Sequence, residues 1–453
     1  MRLTFFPFDA RRGRLLHATK QYFYSYFDCA LHLAIHASYF CLNFSYLPVL
    51  ALGFIFIQSP PTLSQSTRLK LVLLLISSMT VMAGATIAPS LPGIKSVFAH
   101  ESQAEVLAKL VLTLPALFIA LFAPLSGFIL DRFGRKRLLV GASLLYALAG
   151  TSGFYLDNLY LILVGRALLG IAVAGIMTTA TTLVGDYFEG EVRSKFLGIQ
   201  AAFMALGGAV FVTLGGYLAD LSWRYPFLIY ASAIAIIPMI IMVIYEPGII
   251  SNQGEGADSD LSYPRARVAV VYALAFLGMV MFYMVPVQIP FLLEGFPDIS
   301  KTQIGMAISI ATLTAALASS SYRRLREKLT FMQIYAFTFI LMALAFLFIS
   351  QASSYAEVLG GLAIAGLGAG LLMPNSNLWI ISLAPAPLRG RLVGGITMSV
   401  FLGQFFSPIL VEPLSGLASL PLAFAVAAVL MAILGTVLGF YGFRLSRHRE
   451  TQS

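Results

Sequence analysis

Two apolar runs, each long enough to cross a lipid bilayer, are joined by a turn of a few residues around Asp131. A turn this short makes the two flanking helices antiparallel neighbours. The turn carries four cations within six residues: Arg132, Arg135, Lys136 and Arg137. Loops rich in lysine and arginine stay on the cytoplasmic side of a membrane. The turn is therefore predicted to lie in the cytoplasm between two transmembrane helices.

Composition extends this arrangement to the whole chain. Hydrophobic residues make up 59% of the 453 residues and charged residues only 11%, whereas soluble domains average about 25% charged residues. Since about 20 apolar residues span the hydrocarbon core, the chain is predicted to be an all-α membrane protein with twelve transmembrane helices. The net charge of +9 lies in loops, so it indicates topology and contact with membrane lipid, and no nucleic-acid binding is expected.

The predicted helices form two groups of six. The first half, 68–245, has helices at 69–91, 104–130, 137–155, 159–187, 195–219 and 225–245. A polar cytoplasmic linker, 246–266, separates it from the second half, 267–443, with helices at 267–293, 302–322, 331–350, 355–382, 391–412 and 420–443. A basic tail, 444–453, follows. The loops predicted to be cytoplasmic hold 19 lysines and arginines and the opposite loops hold 4, which places both termini of the twelve-helix core in the cytoplasm.

An extra apolar segment lies in the N-terminal extension, 1–67. It runs from about Cys29 to Ile57, and histidines, Asn43 and Pro48 interrupt it. If it spanned the membrane with its basic flank inside, every later loop would be inverted, against the charge asymmetry. We therefore expect a peripheral or interfacial helix, or a tail upstream of the true start codon, rather than a thirteenth span.

The two halves resemble each other in sequence. Gly170 and Met177 in helix 4 correspond to Gly366 and Met373 in helix 10, both at a separation of 196 residues. The basic turn of the first half returns in decayed form as 322–328, without its Asp and Gly. This pattern predicts two six-helix pseudo-repeats.

The basic turn also carries a family signature. Its residues resemble the signature between helices 2 and 3 of the major facilitator superfamily at every defined position: Gly127, Asp131, Arg132, Gly134, Arg135, Lys136 and Arg137. The resemblance implies the major facilitator fold, with a substrate site between the halves near the midplane. Gly127 is expected to allow close helix approach, Asp131 to cap a neighbouring helix or accept charge-assisted hydrogen bonds, and Gly134 to permit the tight reversal.

Acidic residues close the loop between helices 4 and 5, ahead of Arg193. The resemblance implies that Asp186 and its neighbours pair with Arg132 or Arg135 and latch one conformational state. The alternative is a solvated loop whose surface pairs contribute about 0–1 kcal/mol.

Arg166 is predicted to be the only cation deep within a span, with no Asp or Glu at comparable depth. A charge at that depth costs at least ~2.5 kcal/mol, which makes it a functional candidate. With Gly170 it resembles the helix-4 motif that proton-coupled members associate with energy coupling. The alternative is an arginine that extends to the outer end of its helix.

Helix 5 carries glycines at the spacing of the helix-5 signature of drug:proton antiporters, which they resemble: Gly198, Gly207, Gly215 and Gly216. The central Gly-Pro of that signature is replaced by Phe211-Val212. Glycine faces also allow close helix packing whatever the direction of transport.

Helix 1 carries no acid, and the other polar residues predicted at mid-span are uncharged: Thr178, Gln200, Tyr283, Gln288, Asn375, Asn377 and Gln404. A large apolar cavity with few polar groups favours amphipathic or lipophilic solutes. Each of these side chains can instead form an interhelical hydrogen bond, worth about 0.6 kcal/mol.

The sequence contains no P-loop and no motif of an enzyme or a metal site, so no catalytic activity, cofactor or metal is expected. By resemblance the chain is a secondary transporter, most similar to bacterial drug:proton antiporters and sugar efflux permeases, driven by the proton gradient across the bacterial inner membrane. A monomer is expected. The alternatives are a facilitator for a sugar or another small organic solute, and a transport-inactive membrane sensor.

Overall fold

A computed structural model describes residues 66–246, 263–417 and 419–450. These residues form twelve helices that are long and apolar enough to cross a membrane. The first half contains α1 (Thr67–Val97), α2 (Ala104–Phe133), α3 (Arg135–Tyr155), α4 (Leu159–Tyr187), α5 (Gly190–Leu221) and α6 (Tyr225–Val243). The second half contains α7 (Arg265–Glu294), α8 (Lys301–Arg326), α9 (Phe331–Ser350), α10 (Tyr355–Leu383), α11 (Arg389–Pro413) and α12 (Leu420–Arg444). The predicted all-α, twelve-helix architecture is confirmed.

The helix ends differ from prediction in a few places. α5 begins at Gly190, five residues before its predicted start. The helix that begins with α12 continues beyond Arg444 to Glu450, through most of the predicted tail. The N-terminal extension lies outside the described residues apart from Ser66 and Thr67, and so does the linker over 247–262.

The first helix of each half is broken near the same height. In α1 a regular helix, Thr67–Ala85, gives way to a 3-10 turn at Ala88–Ser90 that contains a proline. In α7 the helix breaks between Phe282 and Met284. The hydroxyl of Tyr283, at the break in α7, donates to the carbonyl oxygen of Gly84 at 3.3 Å. The two breaks therefore meet across the boundary between the halves.

The pseudo-repeat has a physical basis in helix packing. Gly170 of α4 lies against the backbone of α2, and a Cβ added there would be 2.4 Å from the carbonyl oxygen of Pro115. Gly366 of α10 lies against α8 in the same way, with a Cβ position 2.2 Å from the carbonyl oxygen of Ala311. Both contacts are related by the separation of 196 residues. Glycine is needed at each position because a side chain would collide with backbone.

We call the end of the bundle with the turn between α2 and α3 the basic end, and the other end the opposite end. The halves meet towards the opposite end: Ser309 of α8 donates to the carbonyl oxygen of Ala209 of α5 at 2.7 Å, and Gly305 packs on the backbone of Val212. Towards the basic end, the residues of α5 from 190 to 199 are exposed apart from Phe196. The structure is therefore closed at the opposite end and open at the basic end.

Candidate functional site

The basic turn is held by a carboxylate that follows α6. α2 ends at Phe133, and Gly134 has φ +90°, a conformation that favours glycine. The Glu246 carboxylate accepts hydrogen bonds from the backbone N–H groups of Arg135 at 2.7 Å and Lys136 at 3.0 Å. Glu246 thus caps the N-terminus of α3, where a negative charge is favourable.

Asp131 does not cap this helix. Its side chain is exposed and makes no hydrogen bond or ion pair within the described part of the chain. Arg132 is also exposed, and its guanidinium lies 5.8 Å from the centre of the Phe133 ring. The expectation that Asp131 caps a neighbouring helix is therefore wrong for this conformation, because Glu246 occupies the N-terminus of α3 nearest to the turn.

An ion pair joins the end of α4 to the turn. Arg135 Nε lies 3.2 Å from Asp186 Oδ2, and both side chains are partly buried, at 15% and 27% exposure. Of the two partners considered from sequence, the structure pairs Arg135 and not Arg132 with Asp186. Glu191, also in the acidic group, pairs instead with Lys195 one turn along α5. The Arg135–Asp186 pair lies within the first half and holds α3 to α4.

Arg193 binds backbone rather than an acid. Its guanidinium donates to the carbonyl oxygens of Phe188, at 2.7 Å from Nε, and Gly185. These carbonyls belong to the end of α4, which a cation stabilises. Arg389 makes the related contact in the second half, with Nε 3.5 Å from the carbonyl oxygen of Ala384. Each arginine therefore fixes the corner between the fourth and fifth helices of its half.

Arg166 is completely buried inside the first half. Its Nε donates to the carbonyl oxygen of Val111 of α2 at 2.8 Å, and its guanidinium carbon lies 5.1 Å from the centre of the Tyr230 ring of α6. The two terminal nitrogens have no hydrogen-bond partner among the described residues. The alternative in which Arg166 extends to the helix end is wrong, since no part of the side chain is exposed.

A second buried cation, Lys109, was not predicted from the sequence. Lys109 of α2 is also fully buried, and its Nζ lies 2.5 Å from Glu412 Oε2 and 2.8 Å from Glu105 Oε1. Lys95 of α1 contacts the other oxygen of Glu105 at 2.5 Å. Both ammonium groups face the ring of Phe291 of α7, at 5.2 Å and 5.7 Å. Arg166 is therefore not the only fully buried cation among the described residues.

This charge cluster joins the two halves at the opposite end. Lys109 belongs to the first half, whereas Glu412 belongs to α11 of the second. The sequence places both residues near helix ends, which made a solvated location plausible. The spacing of Glu105 and Lys109 at i, i+4 was a sequence signal for one of the pairs. The meeting of α2 with α11 is a tertiary fact that no local pattern contains.

A second contact between the halves lies at the same end. Asp220, near the end of α5, accepts hydrogen bonds from the backbone N–H groups of Lys301 at 2.6 Å and Thr302 at 3.0 Å. It also accepts from the hydroxyl of Thr302. A carboxylate of the first half thus caps the first helix turn of α8 in the second half. Nothing in the local sequence distinguished Asp220 from an ordinary loop acid.

The predicted cavity residues separate into two groups. Asn375 lies inside the second half, where it accepts from the Tyr322 hydroxyl at 3.1 Å and donates to the carbonyl oxygen of Phe331 at 3.0 Å. Gln200 donates to the Ser77 hydroxyl of α1 at 2.6 Å. The expectation that Asn375 lines the cavity is wrong in this conformation, because its amide serves helix packing.

The remaining residues keep polar groups available. The amide of Gln288 is fully buried, with neither its oxygen nor its nitrogen hydrogen-bonded within the described chain. Three half-buried side chains form no hydrogen bond to described residues: Thr178, Asn377 and Gln404. Tyr283 bridges α7 and α1 across the boundary between the halves.

Of the four predicted glycines of α5, two pack closely on a neighbouring helix and two do not. A Cβ added at Gly215 would lie 2.0 Å from the carbonyl oxygen of Thr86 in α1, and one at Gly216 would lie 2.4 Å from that of Lys301 in α8. Gly207 meets only the Phe211 ring of its own helix, and Gly198 has no atom within 4 Å of the added Cβ. The prediction that Gly198 and Gly207 allow close helix packing is therefore wrong for this conformation.

The same result holds at the basic turn, where a Cβ added at Gly127 has no atom within 4 Å. The expected close helix approach at Gly127 is absent from this conformation. Both Gly127 and Gly198 lie towards the open basic end, where the halves are apart.

Comparison with known proteins places these features in a family. The model of the Major Facilitator Superfamily matches residues 73–296 and 268–453. The tetracycline resistance protein, class B, of Escherichia coli is 31% identical over 173 residues, which are 37% of this chain and 41% of that protein. The niacin transporter NiaP of Acinetobacter baylyi is 33% identical over 112 residues, 24% of this chain and 26% of that protein. The alignments thus span less than half of these curated relatives.

Solved structures share the fold. A bacterial homologue of the human lysosomal transporter Spinster, in an inward-facing and occupied conformation, superposes with a TM-score of 0.66 at 16% identity over 83% of this chain and 96% of that one. A D-xylose–proton symporter superposes with a TM-score of 0.63 at 14% identity, over 81% and 96%. With two family matches across twelve helices long and apolar enough to cross a membrane, the chain is a multi-pass membrane protein that belongs to the major facilitator superfamily.

Proposed function

We propose that this transporter exports lipophilic or amphipathic small molecules in exchange for protons, by alternating access. The observation that carries the proposal is the unequal closure of its two ends. Lys109–Glu412 and the Asp220 cap join the halves at the opposite end, while α5 is exposed towards the basic end. A substrate site between the halves is therefore accessible from one side only.

The excess of lysine and arginine supports a cytoplasmic location for the basic end. The structure then corresponds to an inward-open state of a bacterial inner-membrane protein, with both termini of the twelve-helix core in the cytoplasm. In this state a solute enters from the cytoplasm or the inner leaflet. Export requires the halves to rock until the basic end closes and the opposite end opens.

Asp131 and Arg132 are suited to stabilise the other state. Both are exposed here, and α2, which carries them, packs along α11 of the second half. When the basic end closes, Asp131 is positioned to accept hydrogen bonds from the exposed N-terminus of α11, which begins at Arg389. The Arg135–Asp186 pair keeps the turn in shape while this happens.

Glu412 is the carboxylate through which we propose that protons act on the gate. It contacts buried Lys109, with Glu105, Lys95 and the Phe291 ring as the neighbouring groups. An ionised Glu412 keeps the opposite end closed, whereas protonation from the outside removes the negative partner of Lys109 and favours opening. A lower pH outside therefore favours the state that releases substrate outside.

The polar residues available between the halves support an amphipathic substrate. They are uncharged, and the carboxylates of the described spans all lie near helix ends. Arg166 places a buried positive charge within the first half, and its repulsion of cations favours neutral, zwitterionic or anionic solutes. Relatives include tetracycline resistance proteins, Multidrug resistance protein 1 and the bacillibactin exporter of Bacillus subtilis, which supports export.

Efflux from energised cells tests this proposal. Cells that express the chain are loaded with tetracycline or, separately, with a lipophilic fluorescent cation, and retention is followed with and without a protonophore. We expect tetracycline to leave faster than the cation, and the protonophore or Arg166→Ala to stop its export. Arg323→Ala is the matched control, because Arg323 is an exposed arginine of α8 that pairs with Glu327 at the end of the same helix. Export that continues with the protonophore would contradict proton coupling.

Uptake of a small organic acid is the second candidate. The buried positive charge of Arg166 and the match to the niacin transporter favour it. Accumulation of an aromatic carboxylate in the same cells, with no export of tetracycline, would support it over the first proposal.

A further inference from the structure

Two crevices open on the sides of the bundle, one in each half. The first, of about 400 Å³, lies between α2, α3 and α4, and the second, of about 520 Å³, lies between α8, α9 and α10. Every residue that lines a crevice belongs to the same half. The crevices are therefore separate from the substrate space between the halves.

The two crevices are related by the pseudo-repeat. Lining residues on the second helix of each half correspond at a separation of 195, as in Phe122 and Leu317 or Ser126 and Ser321. Lining residues on the third and fourth helices correspond at 196: Gly141 and Phe337, Leu145 and Leu341, Ile171 and Leu367, Gly175 and Leu371. A feature built at equivalent positions of both repeats follows from the fold itself.

Each crevice combines an apolar channel with cations near the basic end. Arg137 lines the first crevice, and Arg324 and Lys328 line the second. Neither lining contains an acidic residue. Within the described chain these three side chains have no carboxylate partner, whereas neighbouring Arg323 pairs with Glu327. The cations at the crevices thus remain available to an anion.

We propose that the two crevices bind anionic phospholipid, with an acyl chain along each apolar channel and the phosphate at the cations. A lateral channel at membrane depth faces lipid, and basic pockets between helices at the membrane surface suit acidic headgroups. A zwitterionic lipid would supply the chain but no net charge to complement the rim. This proposal requires the membrane-spanning fold alone and does not depend on the substrate or on the direction of transport.

The difference between the crevices makes the proposal quantitative. The second crevice is larger and has two cations, while the first has one. Each cation near a membrane surface changes binding by about fivefold. Removal of Arg324 and Lys328 should therefore weaken the second site by about 25-fold, and removal of Arg137 should weaken the first by about fivefold.

Native mass spectrometry of the full chain in detergent tests the proposal. Dioleoyl phosphatidylglycerol is titrated against dioleoyl phosphatidylcholine, which has the same chains. We expect the wild-type chain to retain two phosphatidylglycerol molecules. The double variant Arg324→Gln, Lys328→Gln should retain only the lipid in the first crevice. Arg137→Gln should weaken retention of that lipid. Arg323→Gln, a cation at the same end that lies outside the crevice, is the control and should change nothing.

A steric variant separates the channel from the charges. A Cβ added at Gly141 has no atom within 4 Å, so Gly141→Leu should fill the first crevice without a clash and remove one bound lipid. Melting temperature without added lipid checks that each variant is folded. Equal retention of the two lipids, or equal loss in Arg323→Gln, would overturn the proposal. Failure of tetracycline export would leave these results unchanged.

Discussion

The charge cluster at the opposite end is predicted to favour the conformation in which that end is closed over the one in which it is open. In Glu412→Gln, the fully buried Lys109 loses its charged partner across the boundary between the halves. It keeps Glu105 on its own helix and the Phe291 ring of α7. A hydrogen bond to a charged group contributes about 1.5–3 kcal/mol. Glu105 remains, and opening exposes Lys109 to water, so the loss acts mainly on the closed state. The ratio of closed to open molecules should fall by about 10- to 150-fold.

Cysteine accessibility measures this ratio. Ser309 of α8 is buried against the backbone of α5 at Ala209, so a cysteine placed there reacts with a membrane-impermeant maleimide only when the opposite end opens. The native Cys29 and Cys41 are first replaced by serine. The labelling rate of Ser309→Cys should rise in the Glu412→Gln background by up to about 10- to 150-fold, the predicted change in the ratio of closed to open molecules.

Asp157→Asn is the matched control for this experiment. Asp157 is a carboxylate at the same end, but its partner Arg224 belongs to the same half, so its loss should leave the labelling rate unchanged. Lys109→Met combined with Glu412→Gln should add little to either single change, because the two residues act as one pair. An unchanged labelling rate in Glu412→Gln would refute the reasoning that this pair holds the halves together.

Three further predictions follow from individual contacts. Gly366→Ala should lower stability by about 1–3 kcal/mol, seen as a lower melting temperature in detergent, whereas Gly198→Ala should not, since only Gly366 packs on backbone. Glu246→Ala should cost about 0.5–2 kcal/mol by the same measurement, because it removes the cap of α3; an unchanged melting temperature would contradict the cap. Asp131→Asn should abolish tetracycline export and leave expression and melting temperature intact, because the Asp131 side chain forms no hydrogen bond or ion pair with described residues in this state; unchanged export would show that Asp131 does not act in the gate.

Helix number and repeat were predictable because both are encoded locally. Apolar length sets each span, loop cations set the alternation, and Gly170 with Gly366 marks the same backbone contact in both halves. The ion pair of Asp186 with the basic turn was predictable from the family resemblance, which left Arg132 and Arg135 as alternative partners.

The contacts between the halves were not predictable in this way. Lys109 and Glu412 are 303 positions apart, and each alone resembles an ordinary charged residue near a helix end. The same reason explains Glu246, which follows a helix at the edge of the linker and yet takes the capping role expected of Asp131. Gly127 and Gly198 were misjudged for another reason. Both lie towards the basic end, where the halves are apart in this structure.

Proton movement coupled to substrate movement tests the central claim most directly. The purified chain is reconstituted into liposomes with a pH-sensitive dye inside, and proton flux is recorded when tetracycline is added on one side. We expect protons to move opposite to tetracycline in the wild-type protein, and neither to move in Asp131→Asn. Tetracycline transport without proton flux, or proton flux in the same direction as tetracycline, would contradict export in exchange for protons.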